Sequence, residues 1–229
     1  MNHGDHHYFV LETADLDVSS RFFAGLLAWE ITDGEITNAA FRGAISDRHD
    51  RSVWVHVDDC EKACERVTAL GGTPGEVRDE ASGPSVECRD DQGNLFHMNT
   101  LIPAYRDLPN PDPLPAGELG YFTIPVGDTD RAVEFYSQLF GWTFDPPGSS
   151  GVQAEYRHCN SGTLPFGFTA AGDSNPSLYF SVPDVEKAGI RVRELGGSHG
   201  AIVGSEHGPT LTGCADPVGL RFELWTPPA

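Results

Sequence analysis

The sequence predicts an α+β fold made of four β-α-β-β-β modules, two in each of two tandem domains. Internal repetition is the first observation behind this. Tyr8–Ile31 returns at Tyr121–Phe144, with Tyr8/Tyr121, Phe9/Phe122, Asp15/Asp128, Asp17/Asp130, Phe22/Phe135, Leu26/Leu139 and Trp29/Trp142 identical. Trp54–Gly72 returns at Tyr179–Gly197 with ten identities in 19 positions, and Asp90–Phe96 is echoed by Asp216–Phe222. Three blocks recurring in one order mean a duplicated domain. The second observation is that each repeat twice sets a β-rich run before an Asp and an apolar stripe of helical period.

Taken in order, Tyr8 opens a strand, Asp15 offers an N-cap, and Val18, Phe22, Phe23, Leu26 and Leu27 mark a helix. The second repeat copies this with strand 121–126, the cap Asp128, a stripe from Ala132 to Phe140, and a stop at Gly141. The next module opens with alternating strands at 52–57 and 177–182, ending before Asp59 and Asp184. Its helices bury Ala63, Val67 and Leu70, or Val185, Ala188, Val192 and Leu195. Gly71-Gly72 and Gly196-Gly197 supply the left-handed stop that a helix end favours. Short strands follow, the last at 95–99 and 220–225. Domain 1 is placed at 1–102 and domain 2 at 117–229. Pro103, Pro109, Pro111, Pro113 and Pro115 make an extended linker across 103–116.

With 229 residues, 39% hydrophobic and 21% charged, the chain suits two soluble domains of about 110 residues each. The net charge of −19 excludes a general nucleic-acid binder, because phosphate contacts need a basic surface. No run of about 18 apolar residues and no basic-then-apolar start is present, so neither a membrane span nor a signal peptide is expected. The five cysteines, Cys60, Cys64, Cys88, Cys159 and Cys214, form no CxxC. Reduced thiols in a cytoplasmic protein are the expectation. No nucleophile triad or phosphate loop is visible.

The pattern D-x-x-x-(A/V)-x-x-F-(F/Y)-x-x-L-(L/F)-(A/G)-W, then V-x-D-x-E-K-A, G-G and D-P-x-G-x-x-F-E-L, resembles the vicinal oxygen chelate superfamily. Phe140-Gly141-Trp142 and Asp216-Pro217-Val218-Gly219 are its strongest signatures here. The superfamily includes glyoxalase I, extradiol dioxygenases and the fosfomycin and bleomycin resistance proteins. The resemblance implies tandem glyoxalase-like domains in which paired βαβββ modules form curled sheets enclosing cavities. It does not imply a reaction.

The resemblance also implies ligand positions for a divalent ion. They fall at Tyr8, Ser52 and His97 in domain 1, and at Tyr121, Ser177 and Glu223 in domain 2. Neutral hydroxyls are poor donors to transition metals beside imidazole and carboxylate. No metal or other cofactor is therefore expected; a divalent ion recruited by His97 is the alternative. His3, His6 and His7 are expected on a frayed, solvated N-terminus.

Strand alternation assigns the inward faces instead. Trp54, His56 and His97 line domain 1, while Tyr121, Thr123, Tyr179, Ser181, Arg221, Glu223 and Trp225 line domain 2. Aromatic walls with a few polar groups suit a small-molecule site, whereas Trp29 and Trp142 at helix ends are expected in the core. The expectation is a metal-free binding protein for an aromatic or cationic natural product, with Glu223 as anchor. The alternative is an enzyme of the superfamily (lyase, isomerase or dioxygenase), either metal-dependent with an unusual ligand set or metal-independent and using His56, His97 or Glu223 in acid–base catalysis. A monomer is expected to hold complete cavities, with any homodimer supplementary.

Overall fold

The computed structural model describes residues 1–48, 51–106, 113–148, 155–170, 175–205 and 207–228. Its first repeat runs β1 (His6–Glu12), α1 (Leu16–Leu27), β2 (Ile31–Thr32), β3 (Glu35–Ile36), β4 (Arg42–Ser46) and β5 (Ser52–His56). It continues with α2 (Cys60–Ala69), β6 (Thr73–Pro74), β7 (Arg78–Glu80), β8 (Gly83–Arg89) and β9 (Leu95–Asn99). The second repeat runs β10 (Leu119–Val126), α3 (Thr129–Phe140), β11 (Arg157–Cys159), β12 (Phe166–Ala170) and β13 (Ser177–Ser181). It ends with α4 (Val185–Glu194), β14 (Ile202–Val203), β15 (Thr210–Ala215) and β16 (Arg221–Trp225). Of the expected linker, Pro103 opens a short 3-10 turn, and residues 107–112, with Pro109 and Pro111, lie outside the described residues.

The four helices start as the sequence dictates. Asp15, Asp59, Asp128 and Asp184 each accept backbone N–H bonds from the first turn, satisfying donors that a helix end leaves orphaned. α3 stops at Gly141 in the left-handed region, whereas the equivalent stop of α1 is Ala28, a non-glycine at φ 57°.

The chain forms two compact units, each drawn from both repeats. The first contains Met1–Tyr8, Ser52–Leu108 and Thr123–Pro176. There β5 is flanked by β1 and β9, followed by β8 and then β6, with β7 also paired to β8. β5 and β9 run parallel, and β8 and β9 antiparallel. The core rings of Phe96, Phe135, Tyr136 and Phe140 meet at 5.1–6.1 Å. The Tyr136 hydroxyl donates to buried Asp90 at 3.2 Å, and the Trp142 indole N–H donates to the Gly4 carbonyl at 2.8 Å.

The second unit contains Phe9–Arg51, Pro109–Phe122 and Ser177–Ala229. Its strands run β2-β3-β4-β1 and β10-β13-β16-β15-β14, and α1 packs against α4. Phe22 and Phe23 meet Phe222 edge-on at 5.8 and 5.0 Å. Ser19 donates to Asp216 at 2.5 Å, and Trp29 donates to the Gly117 carbonyl at 2.9 Å. Trp29 and Trp142 are buried, as expected of core residues.

The N-terminus departs from expectation. His6 and His7 lie buried in β1 rather than on a frayed end. His6 stacks on Trp142 at 5.0 Å and meets Phe166 edge-on at 4.8 Å. Burial, with His7 beside it, drives the His6 pKa down to about 3. A neutral imidazole is a flat ring with no charge to desolvate, and here it takes the place that Leu119 fills in the other repeat.

Candidate ligand-binding faces

In the first unit, strand register sets one row of side chains. Trp54 pairs with His97 across β5 and β9, and His97 pairs with Glu87 across β9 and β8. Residues paired in register share a face. The Trp54 indole accordingly stacks on the His97 ring at 4.8 Å and 16°, and Tyr8 meets Trp54 edge-on at 6.2 Å. Trp54 donates its N–H to the Ser52 hydroxyl at 3.1 Å, which holds the indole across the strand. His97 Nε2 lies 3.8 Å from Glu87 Oε2, with Glu87 the more exposed of the two.

The second unit repeats the row with different chemistry. Tyr179 pairs with Glu223 across β13 and β16, and Tyr121 meets Tyr179 edge-on at 5.5 Å. The register of β15 against β16 shifts between Leu211 and Cys214. Inside that bulge Gly213 sits at φ 63° and donates its N–H to Glu223 at 2.8 Å. A bulge commonly re-aims a backbone group in this way. Burial pushes the Glu223 carboxyl up to about 7, while the Gly213 N–H and the charges of Arg51 and Arg221 pull it back. At the end of the row Trp225 donates to the His207 carbonyl at 2.6 Å. Its ring covers Gly120 so closely that a Cβ there would lie 2.7 Å away.

The two rows are equivalent positions of the duplication: Tyr8 with Tyr121, Trp54 with Tyr179, His97 with Glu223, and Glu87 with Gly213. His56 and Ser181 are also equivalent and sit elsewhere. His56 is 0% exposed, its Nδ1 lying 3.1 Å from the Asn99 carbonyl and 3.3 Å from the Leu101 N–H. Ser181 is 1% exposed, donating to the Pro115 carbonyl and accepting from the Glu118 N–H. Both tie down backbone. Thr123 is half-buried on β10, and Arg221 is exposed beside Glu223.

Glu87, Gly213 and Arg51 were not among the residues singled out from sequence. A signal for two of them exists in the turn between the last two strands. Counting outward from Asp90–Asn94 puts Glu87 opposite His97, and counting from Asp216–Leu220 puts Gly213 opposite Glu223. In the parallel ladders Trp54 and Tyr179 stand level with His97 and Glu223, because parallel register is fixed by the hydrogen-bond ladder.

The donor set does not fit an open three-ligand metal site. Among the described residues no three His, Cys, Asp or Glu side chains stand close enough to hold an ion. One imidazole with a carboxylate serves the first row, and one carboxylate the second, where three good donors are normal.

Residues 121–225 match the family described as the glyoxalase-like domain. A protein of Didymella fabae described as "Glyoxylase-like domain-containing" is 31% identical over 77 residues, covering 33% of this chain and 54% of that protein. The chain thus spans about half the length of that relative. The 2,3-dioxygenase LapB of Pseudomonas sp. KL28 covers 100% of this chain, and 94% of its own, at TM-score 0.68 and 14% identity. A homoprotocatechuate 2,3-dioxygenase variant of B. fuscum covers 100% and 73% at 0.70 and 15%. A 2,2′,3-trihydroxybiphenyl 1,2-dioxygenase of Sphingomonas wittichii covers 98% and 91% at 0.64 and 14%. The fold is that of these dioxygenases, and the motifs are similar to those of the vicinal oxygen chelate class. No helix among the described residues is long and apolar enough to cross a membrane.

Proposed function

We propose that this chain is a small-molecule binding protein whose working face is the Tyr121–Tyr179–Glu223 row, and that its ligand is planar and cationic. One observation carries this reading: a carboxyl group held among aromatic rings with its pKa pushed up to about 7 by burial. An approaching cation restores the ionised form, and aromatic faces add stacking and cation–π attraction. The hydroxylated aromatic compounds for which the structural neighbours are named support a planar framework.

A thermal-shift screen of aromatic amines and quaternary aromatic cations, followed by calorimetry, tests it. Glu223→Gln is expected to weaken binding by roughly 10- to 100-fold, the worth of a buried charge-assisted hydrogen bond at about 1.5–3 kcal/mol. Trp225→Ala is expected to weaken it comparably. Loss of binding in His97→Ala, with both other variants unaffected, would move the site to the first unit.

A second reading is favoured by the same carboxyl, because a proton carrier poised near neutrality suits general acid–base catalysis. Chemical conversion of the bound ligand, with a rate inflecting near pH 7 in the native protein and not in Glu223→Gln, would establish an enzyme.

A further inference from the structure

The hairpin β11–β12 holds two titratable side chains that neither row uses. Arg157 and Cys159 on β11, with Phe166 and Phe168 on β12, are buried on one face. His158 stands opposite Gly167 on the other face. Tyr156, just before β11, lays its ring on Gly167, where a Cβ would lie 2.6 Å from a ring carbon and from the hydroxyl oxygen. The hydroxyl is thereby set 3.3 Å from His158 Nδ1, with the two rings 27° from parallel. Both backbones are pinned. Arg157, paired with Asp130 at 2.7 Å, donates to the Tyr156 carbonyl at 2.9 Å. The Asp145 N–H donates to the His158 carbonyl at 2.9 Å. Both side chains are half-buried, within reach of a small molecule.

Gly167 does not serve its own backbone, since its φ lies outside the left-handed region. The corresponding hairpin of the first repeat, β3–β4, sets Glu35 opposite Ala44, so the pairing itself tolerates a Cβ. What excludes one at residue 167 is the Tyr156 ring.

We propose that Tyr156 and His158 are a nucleophile and its base, a covalent modification site for acyl donors of the activated-ester class. A phenol is a weak nucleophile at neutral pH, and a base within hydrogen-bonding reach activates it. The Tyr156 hydroxyl donates to Nδ1, and its oxygen attacks the ester carbonyl carbon as the proton passes to His158. The bond from that carbon to the leaving oxygen then breaks, and the imidazolium returns the proton to the departing alkoxide. Tyr156 is left as an acyl ester and one alcohol is released, with no change of oxidation state.

The test exposes the folded full chain to 4-nitrophenyl acetate at neutral pH, quenches in acid and maps acetyl groups by fragment-ion mass spectrometry. Tyr136 shares the tryptic segment 132–157 with Tyr156, but it is 3% exposed and should stay unmodified. The expected result is an acetyl group on Tyr156. His158→Gln should slow that labelling about 100-fold, the low end of general-base assistance. Gly167→Ala should slow it as well, by pushing the ring away from Nδ1 while both reacting side chains remain. Acetylation of Lys62 and Lys187, the two lysines of the chain, is the internal standard and should match in all three proteins, whose folding is checked by circular dichroism. An unmodified Tyr156 in the native chain overturns the proposal. So does labelling of Tyr156 at one rate in the native chain and in either variant.

Discussion

Glu223 keeps a proton into the neutral range because its neighbours on the sheet face are rings, and one backbone N–H is a weak substitute for water. The consequence for stability has a definite sign. With the folded value raised from 4.5 to about 7, the unfolded chain ionises first as pH rises. The stability this group contributes is therefore full below about pH 4.5 and is lost through pH 7. At about 1.4 kcal/mol per unit, and with the group still touching solvent, the loss is expected to be about 1–2 kcal/mol. Denaturant titrations of native protein and Glu223→Gln across pH 4.5–8 should show this component only in the native chain; parallel profiles would refute it. The alternation of β16 placed Glu223 on the aromatic face from sequence alone. Its raised pKa was not legible there, since that depends on what surrounds the carboxyl in three dimensions.

At the scale of elements, hairpins and helix ends constrain the chain most tightly. Gly83 opens β8 at φ 121°, and a Cβ there would lie 2.1 Å from the Thr100 carbonyl oxygen. Gly219, in the turn before β16, sits at φ 90° with nothing within 4 Å. Both substitutions to Ala incur left-handed strain, about 1–2 kcal/mol, and only Gly83→Ala adds a clash. Chemical denaturation should give Gly219→Ala a cost of about 1 kcal/mol and Gly83→Ala about 3 kcal/mol or more; equal costs would mean the strand end yields. Trp142→Phe keeps a ring but loses the N–H bond to Gly4, and Trp29→Phe loses its counterpart to Gly117. Each is expected to cost about 1–3 kcal/mol for the carbonyl left buried. The two values should be similar if the duplication preserves the contact's environment. Helix starts at Asp15, Asp59, Asp128 and Asp184 were legible in sequence because capping is local. The bulge at Gly213 was not, because it is defined only against its partner strand.

At the scale of the molecule, each compact unit is built from both repeats: α3 packs with α2 in one, and α1 with α4 in the other. A half-chain would thus expose the apolar helix faces that the other half covers. Residues 1–106 and 113–229, expressed separately, are expected to be unfolded or self-associated alone. Mixed, they should give a 1:1 complex with the native circular dichroism spectrum and one cooperative unfolding transition. Light scattering that finds a cooperatively folding monomer of either half would show that the exchanged packing is dispensable.

The sequence alone determined that two repeats exist, where the helices begin, that the signatures resemble those of vicinal oxygen chelate proteins, and which aromatic side chains point one way along each strand. These are properties of short periods and local caps, carried by residues a few positions apart. Tertiary structure decided which modules pack together, that His6 and His7 belong to the core, and that Trp54 stands level with His97. It also decided that Glu223 shares its row with a backbone N–H instead of the carboxylate found beside His97. Each of these follows from strand register and from burial among residues far apart in the chain, and neither is written in any one segment.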